Sequence, residues 1–338
     1  MAIVHGGDIF AVARAKGWDW REVLDFSASI NPLGPAPGVR AAICGAIERI
    51  AHYPEREPER LGAALAHNFG VQEEQILLGN GATELIFFVA RMFAGVRVSL
   101  AVPVFSEFHR AFPQAATADL DEPESWERDG LLVLTRPANP TGRSFSLDCL
   151  GRHLEVASGY TLVDESFLEF SRLASCATML ERHPRLLILR SLTKFYALPG
   201  LRIGALIGSQ DTLREWRHQR EPWQVNVLAE EAALAALADE EHARRSLILV
   251  EAERRWLRDR IAELPGTCLE KSDANFLYVR LAYAARSLCE YLQQEKILIR
   301  NCADWPGLSG EAVRIAVRTR ADNQRLLGTW QQFRCGAA

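Results

Sequence analysis

The chain has 338 residues, of which 48% are hydrophobic and 24% charged, and its formal net charge at pH 7 is -4. This length is sufficient for two lobes with a large buried core, and the composition is that of an ordinary soluble protein. The charge gives no support for a nucleic-acid or membrane-surface partner. Because no apolar run is long enough to cross a bilayer and 1-MAIVHGGDIF-10 lacks a secretory-signal pattern, we expect a cytoplasmic location.

The seven cysteines give no sign of a disulfide framework or a metal site. They are scattered, odd in number and never arranged as Cys-x-x-Cys. We therefore expect reduced thiols that mostly serve packing, and no metal ion at the functional site.

Between residues 75 and 208, short apolar runs alternate with helical patterns, which is typical of a parallel sheet wrapped by helices. The predicted strands are bounded by turn residues and apolar on both faces: 75-QILLG-79, 97-RVSLAVP-103, 131-LLVLTRP-137, 160-YTLVDES-166, 185-RLLILRS-191 and 202-RIGALIG-208. Helices are predicted between them over residues 83–92 and 147–157.

After residue 226 the pattern changes to two long helices rich in Ala, Glu and Arg, predicted over residues 227–238 and 241–264. A second set of elements follows: strand 276-FLYVRL-281, a helix over residues 284–294, strands 297-ILIRNC-302 and 312-AVRIAVR-318, and a last helix from residue 322. This order predicts a smaller α+β lobe joined by a long helix.

The segment 191-SLTKFYALPGLRIG-204 places a lysine directly after a predicted buried strand. Lys194 would be partly desolvated at the carboxyl edge of the sheet, where ligands of open α/β sheets bind. Desolvation favours the neutral amine, which is the form that attacks a carbonyl. The alternative is a lysine that extends from a strand end to solvent. The hydroxyls of Ser191 and Thr193 and the guanidinium of Arg202 favour the first interpretation, because together they suit a phosphate dianion.

A second anion cradle is predicted at 79-GNGATE-84, a glycine turn between a strand and a helix. The first backbone N–H groups of that helix would point at the same edge of the sheet. The motif does not fit a dinucleotide fingerprint, because Glu84 stands where the third glycine belongs, and no P-loop Gly-Lys-Ser/Thr follows.

Two further loops follow the next strands. In 136-RPANPTG-142, Asn139 lies between prolines that fix the backbone and therefore its amide. Asp164 ends the apolar strand of 162-LVDESFLEF-170, where a carboxylate without a partner would be costly. Turn formation and helix capping are the alternative roles for both residues.

A nucleophilic lysine, a phosphate cradle, a buried carboxylate and a fixed amide together form the site of pyridoxal phosphate. The order GNGATE, NPTG, DES, SLTK and GLR resembles that of the fold-type I pyridoxal-phosphate enzymes of the aminotransferase superfamily, over nearly the whole chain. The resemblance implies an α/β fold: a large domain with a mostly parallel seven-stranded sheet between helices, and a smaller α+β C-terminal domain. We predict an N-terminal arm over the active site at residues 1–35, the large domain at 36–238 and the small domain at 239–338.

The resemblance also implies roles for the matching residues. Lys194 would form the Schiff base with the cofactor, Asp164 would pair with the pyridine nitrogen, and Asn139 would donate to the ring oxygen. The residues implied to hold the cofactor phosphate are Ser191, Arg202 and the backbone of Ala82 and Thr83. Phe108 would stack on the cofactor ring, Arg314 would bind the substrate carboxylate, and Tyr53 would reach the cofactor phosphate of a neighbouring subunit, which implies a homodimer with shared active sites.

Five segments resemble one branch of the superfamily, the threonine-phosphate decarboxylases, which lie next to the histidinol-phosphate aminotransferases: 5-HGGDI-9, 25-DFSASINPLG-34, 193-TKFYALPGLRIG-204, 220-REPWQVN-226 and 299-IRNCADWPGL-308. This implies decarboxylation of L-threonine O-3-phosphate for cobalamin biosynthesis. The candidate anchors for a small phosphorylated amino acid are His5, Ser29, Asn31, Arg300 and Arg314. Phe167 stands where aminotransferases usually carry a tyrosine that bonds the ring oxygen.

Two other functions remain open from the sequence. One is an aminotransferase that acts on histidinol phosphate or a related phosphorylated amine, which would share every cofactor residue. The other is a catalytically silent binding or regulatory protein that keeps the fold.

Overall fold

A computed structural model of the protein describes residues 6–335, without the side chains of residues 334 and 335. Within this range the α-helices are α1 Ile9–Lys16, α2 Pro37–Ala46, α3 Glu59–Phe69, α4 Gly81–Met92, α5 Ser106–Ala111, α6 Leu147–Val156, α7 Gln210–Arg217, α8 Val227–Leu237, α9 Glu240–Ala262, α10 Ala285–Gln294 and α11 Arg320–Cys335. Short 3-10 helices cover Trp20–Glu22, Ile47–Ala51, Glu73–Gln75, Pro123–Ser125, Leu168–Phe170 and Cys176–Met179. Between residues 6 and 335, every helix is too short or too polar to cross a lipid bilayer.

The strands form three sheets. Their bounds are β1 Leu24–Asp25, β2 Ile76–Gly79, β3 Val98–Val102, β4 Ala116–Asp119, β5 Leu131–Thr135, β6 Tyr160–Asp164, β7 Leu186–Ser191, β8 Gly204–Ile207, β9 Thr267–Leu269, β10 Phe276–Leu281, β11 Ile297–Leu298, β12 Arg300–Asn301 and β13 Ala312–Ala316. The largest sheet has seven strands in the order β2-β8-β7-β6-β5-β3-β4. All of its neighbouring strands are parallel except β8, which runs antiparallel to both β2 and β7. The predicted fold class is therefore confirmed.

Apolar side chains on both faces explain why the central strands form. Every residue of β5 and β7 is buried. One face of the sheet packs against Phe88 of α4 and Trp216 of α7, whose rings meet edge to face at 5.8 Å. Burial of one such large side chain stabilises the fold by about 1.5–3 kcal/mol, so this layer is a major source of stability.

Besides the short strands β1 and β9, which were not predicted, two details of the strands differ from the sequence prediction. β4 was not predicted, because three of its four residues are exposed and it pairs only with β3 at the edge of the sheet. The strand predicted over residues 297–302 is divided into β11 and β12, which pair with different partners, β1 and β13. Exposure at the sheet edge explains why β4 was missed, and the pairing of β11 with β1, which is distant in the sequence, leaves no local pattern.

The second lobe is an antiparallel sheet in the order β12-β13-β10-β9, packed against α9, α10 and α11. In this sheet Arg300 of β12 is the direct partner of Arg314 of β13. Directly opposed residues of antiparallel strands lie on the same face. The lobe also includes β1, which comes from the N-terminal segment and pairs in parallel with β11. It therefore brings two arginines and the segment that begins at Leu24 to one side of the large sheet.

Candidate active site

A cavity lies at the carboxyl ends of β5, β6 and β7, between the large sheet and the second lobe. Ten of the residues predicted from the sequence line it: Ser29, Ala82, Thr83, Asn139, Asp164, Ser191, Lys194, Arg202, Arg300 and Arg314. They come from seven separate parts of the chain, so the fold brings together what the sequence separates.

The Lys194 amine is held in an environment that favours its neutral form. Burial lowers its pKa to about 8, together with the guanidinium charges of Arg314 and Arg202, while the Asp164 carboxylate acts in the opposite direction. An ordinary lysine has a pKa of about 10.4. At neutral pH, the fraction of Lys194 that is able to attack a carbonyl is therefore much larger than for a surface lysine.

Asp164 presents a buried carboxylate to the same cavity. It is 4% exposed and accepts a hydrogen bond of 2.9 Å from the Ser166 backbone N–H. Burial raises the pKa of Asp164, and the bonds from Ser166 and the charge of Lys194 oppose that rise. A cationic or N–H partner in the cavity would offset the remaining cost of its burial.

Glu165, which the sequence analysis did not single out, points away from the cavity into a buried ion pair. Its carboxylate accepts from Arg190 Nη1 at 2.7 Å and from the Cys176 backbone N–H at 2.8 Å. Arg190 in turn donates to Glu169 at 2.8 Å. Because Glu165 follows β6 and Arg190 lies in β7, this pair fixes the strand ends that carry Asp164 and Ser191.

Asn139 and Arg314 are bonded to each other. Arg314 Nη1 donates to Asn139 Oδ1 at 2.5 Å, and Arg314 Nη2 donates to the Ser27 carbonyl oxygen at 2.6 Å. Since a guanidinium can only donate, the bond assigns Oδ1 to Arg314 and leaves Asn139 Nδ2 as the donor for another acceptor.

The anion cradle is formed where α4 begins beside β8. Gly81 has a φ of +81°, and a Cβ added there would lie 2.3 Å from Arg202 Nη2. A Cβ added to Gly204 would lie 2.6 Å from the Ala82 backbone nitrogen. Both glycines are therefore needed for the close approach of Arg202 and β8 to the first N–H groups of α4. Ser191 and Thr193 complete the cradle, with their hydroxyl oxygens 2.8 Å apart.

Arg300 and Arg314 supply two cations on the opposite side of the cavity. Arg300 lies over the Trp305 ring, 5.4 Å from its centroid, and Arg314 lies over the Phe276 ring at 5.2 Å. Burial lowers the pKa of Arg300, and burial lowers the pKa of Arg314 to about 10. A pKa of about 10 still leaves the Arg314 guanidinium charged at neutral pH. Two arginines at one cavity are consistent with a ligand that carries more than one anionic group.

The cavity fits pyridoxal phosphate. The buried Ser29 Oγ and Arg314 Nε have no hydrogen-bond partner among the described residues, which is expected where a polar ligand binds. Apolar walls come from Ile86, Phe105 and Phe167. The donor set thus matches a planar ring with an anionic arm, an aldehyde and a ring nitrogen.

The structure corrects the prediction for Phe108. This side chain is fully buried in the core on one face of the sheet and does not line the cavity. Phe105, three residues earlier and directly before α5, lies at the cavity instead. The motif 103-PVFSEF-108 offered two phenylalanines, and only the start of α5 at Ser106 decides which one faces the site.

The structure also corrects the prediction for Asn31. Its side chain is 3% exposed and bonds Phe195 and Ser246, so it is not a cavity residue. Tyr53 is 81% exposed and stacks on Trp223 at 4.8 Å, away from the cavity of its own chain. His5 lies outside the described residues.

Sequence reasoning missed Ser27 and Trp305. Ser27 accepts from Arg314 through its carbonyl, which leaves no signal in the sequence. Trp305 lines the cavity and donates from Nε1 to the Val104 carbonyl at 3.0 Å, which joins the second lobe to the loop before Phe105. Trp305 stands in the segment 299-IRNCADWPGL-308, whose unusual composition was the available signal.

Comparisons with known proteins agree with this geometry. The sequence pattern of the family described as aminotransferase class I and II matches residues 113–329. The threonine-phosphate decarboxylase of Salmonella typhimurium is 34% identical, over 99% of this chain and 97% of that protein. The histidinol-phosphate aminotransferase of Chlorobaculum tepidum is 33% identical, over 81% of this chain and 83% of that protein.

One solved structure shows the same fold. The histidinol-phosphate aminotransferase of Sinorhizobium meliloti, in complex with pyridoxal-5'-phosphate, has a TM-score of 0.88 at 22% identity and covers 100% of this chain and 96% of that chain. The family match and the near full-length similarity agree with the site described above. The chain belongs to the aminotransferase class I and II family, whose members are pyridoxal-phosphate enzymes.

Proposed function

We propose that the protein is a decarboxylase that converts L-threonine O-3-phosphate to (R)-1-amino-2-propanol O-2-phosphate for cobalamin biosynthesis. The observation that carries the proposal is the pair Arg300 and Arg314, a partly buried and a buried cation on one face of the second lobe that share a cavity with Lys194. A substrate with a carboxylate and a phosphate offers one anion to each. The similarity to the Salmonella typhimurium threonine-phosphate decarboxylase supports the same substrate.

The cofactor contacts follow from the site. Lys194 would form the covalent link, Asp164 would face the ring nitrogen, and Asn139 Nδ2 would donate to the ring oxygen. Phe105, rather than Phe108, would stack on the ring. The phosphate would be held by the cradle of Ser191, Thr193, Arg202 and the first N–H groups of α4, a helix N-terminus that favours anions.

Bound pyridoxal phosphate supplies an electron sink for the bond that breaks at the substrate Cα. The residues of the chain decide which bond that is. Arg300 and Arg314 hold the two anionic groups and so fix the torsion at Cα, and binding of the remote phosphate contributes to this orientation. After carbon dioxide leaves, Cα needs a proton, and the candidate donor is Lys194 in its protonated ammonium form, which becomes the neutral amine.

Phe167 makes the site differ from one that carries a tyrosine at this position. Its ring meets Phe276 edge to face at 5.0 Å and lines the cavity without a hydroxyl. The ring oxygen of a bound cofactor would therefore lack a donor from residue 167, and Asn139 would remain as its donor. We propose that this difference favours decarboxylation.

A second candidate is an aminotransferase that acts on histidinol phosphate or a related amine. The 33% identity to the Chlorobaculum tepidum enzyme supports it, and every cofactor contact would be shared. Incubation of the holoenzyme with threonine phosphate distinguishes the two. We expect carbon dioxide and the amine phosphate in equal amounts without any 2-oxo acid. Strict dependence on 2-oxoglutarate, with no carbon dioxide released, would identify the aminotransferase.

We also propose a homodimer in which each subunit completes the site of the other. The support is the stacked pair Tyr53 and Trp223, which are 81% and 43% exposed on a chain whose own cavity they do not reach. A second subunit would cover these aromatic side chains and place the Tyr53 hydroxyl near the cofactor phosphate.

Capture of the cofactor by the apoprotein should depend on pH through Lys194. The folded-state pKa of about 8 lies below the ordinary lysine value, so the amine loses its proton as pH rises through about 8. We expect the rate of formation of the covalent link to increase about tenfold per pH unit up to about pH 8 and then to level off. For an ordinary lysine, the rate would level off only at about pH 10.4. Stopped-flow absorbance over pH 6–10 measures this, and a plateau only above pH 10 would contradict it.

A further inference from the structure

Asn31 bonds the backbone that carries the Lys194 side chain. The Asn31 backbone N–H donates to the Lys194 carbonyl at 3.0 Å, and its side-chain Nδ2 donates to the Phe195 carbonyl at 2.8 Å. One residue therefore holds two successive carbonyl groups, although 164 positions separate Asn31 from Phe195 in the chain.

Three further contacts fix the orientation of the Asn31 amide. Nδ2 donates to Ser246 Oγ at 2.7 Å, and that hydroxyl donates its own proton to the His242 carbonyl at 2.7 Å. The Leu33 backbone N–H donates to Asn31 Oδ1 at 3.0 Å. A carbonyl can only accept and a backbone N–H can only donate, so the amide cannot be reversed. Asn31 satisfies three specific partners at once, which a smaller or apolar side chain would leave unpaired.

The turn that Asn31 holds has an unfavourable backbone. Ala197 and Arg202, which follow Lys194 before β8, have φ values of 53° and 59°. Residues with a Cβ adopt this left-handed region only at an energetic cost, so the surrounding contacts must stabilise the turn. The bonds from Asn31 lie at the start of this turn, next to the amine.

We propose that Asn31 is a positioning residue for Lys194. Its amide holds the carbonyls of Lys194 and Phe195 and thereby directs the lysine side chain into the cavity. This role replaces the substrate contact predicted from the sequence, and it rests on the proposed function of Lys194 as the residue that binds the cofactor.

The test measures cofactor affinity and local exchange rather than activity alone. Apoproteins of the wild type, Asn31→Ala and Ser246→Ala are titrated with pyridoxal phosphate, and hydrogen–deuterium exchange is followed for peptides that cover residues 194–202. We expect the Kd of Asn31→Ala to rise about tenfold, with faster exchange confined to these peptides. Ser246→Ala is the matched control, because it removes one acceptor and leaves the bond to Phe195. Its Kd should change less than about threefold.

If Asn31→Ala fails to fold, Asn31→Asp provides the second variant. It keeps the size and the acceptor for Leu33 but cannot donate to Phe195, so the same rise in Kd is expected. Unchanged Kd and exchange with a higher KM would restore the substrate-contact role and overturn the proposal. Faster exchange over the whole chain with an unchanged Kd would also overturn it. If wild-type Lys194 forms no link to pyridoxal phosphate, the proposed function fails, while the exchange data still test the hold of Asn31 on the turn.

Discussion

The Lys194→Ala protein is expected to keep its fold and lose its covalent link to pyridoxal phosphate. The wild-type holoenzyme should show an absorbance band near the visible edge that borohydride reduction removes, and the variant should lack that band. Activity should fall by about 10⁴-fold or more, because no other described lysine lines the cavity. Absorbance spectra, mass measurement after reduction and carbon dioxide release measure these effects.

Lys271→Ala is the matched control for this variant, since the Lys271 side chain is 86% exposed and forms only a distant pair with Asp273 at 3.7 Å. It should leave spectrum and activity unchanged. The apoprotein of Lys194→Ala should be at least as stable as wild type at neutral pH. The lowered pKa means that a charged Lys194 destabilises the folded state below about pH 8, and this cost is relieved as pH rises. A band in the variant that borohydride removes, with the mass of the cofactor left on the protein after reduction, would show that Lys194 is not the cofactor lysine.

The second large effect is expected for Asp164→Asn, which should reduce kcat by about 10²–10³-fold with little effect on KM. The substitution keeps the shape but removes the charge that would stabilise a protonated ring nitrogen. Steady-state kinetics with threonine phosphate measure the loss. Because burial raises the pKa of Asp164, its ionisation destabilises the apoprotein at neutral pH, and the destabilisation is relieved as pH falls. We therefore expect the Asp164→Asn apoprotein to unfold at the same or a higher temperature.

Glu165→Gln gives the opposite result at the neighbouring position. The substitution breaks a buried ion pair with Arg190, which is expected to cost about 3–5 kcal/mol of stability. Comparison of the two variants in thermal unfolding and kinetics separates a carboxylate that serves chemistry from one that serves the fold. If Asp164→Asn lowered stability as much as Glu165→Gln, Asp164 would be a structural residue.

Much of the large domain could be predicted from the sequence, because buried parallel strands are continuous apolar runs. β5, β6 and β7 lie within the segments predicted for them. The antiparallel direction of β8 could not be predicted, since its four residues are apolar whichever way they run. The register that sets Arg300 opposite Arg314 depends on pairing between strands that a loop separates, and no local pattern records it.

In the candidate site, too, some residues could be predicted from the sequence and others could not. Residues that end strands, such as Asp164, were predictable from position alone. Phe108 was not placed correctly, because a spacing of three residues does not say which of the two rings packs in the protein core from within α5 and which lies at the start of that helix. Asn31 was not placed correctly either, because its partners Phe195 and Ser246 are far away in the sequence.

The parallel pairing of β1 with β11 has a consequence for the order of folding during synthesis. The strand at Leu24–Asp25 is synthesised long before its partner at Ile297–Leu298, and β13 is synthesised later still. At about 5–20 residues per second, this delay lasts roughly 15–55 s on the ribosome. The large domain can form within that time, whereas the cavity remains open until the final hundred residues emerge. A nascent chain therefore gains Arg300 and Arg314 last, after the cradle and Lys194 are already in place.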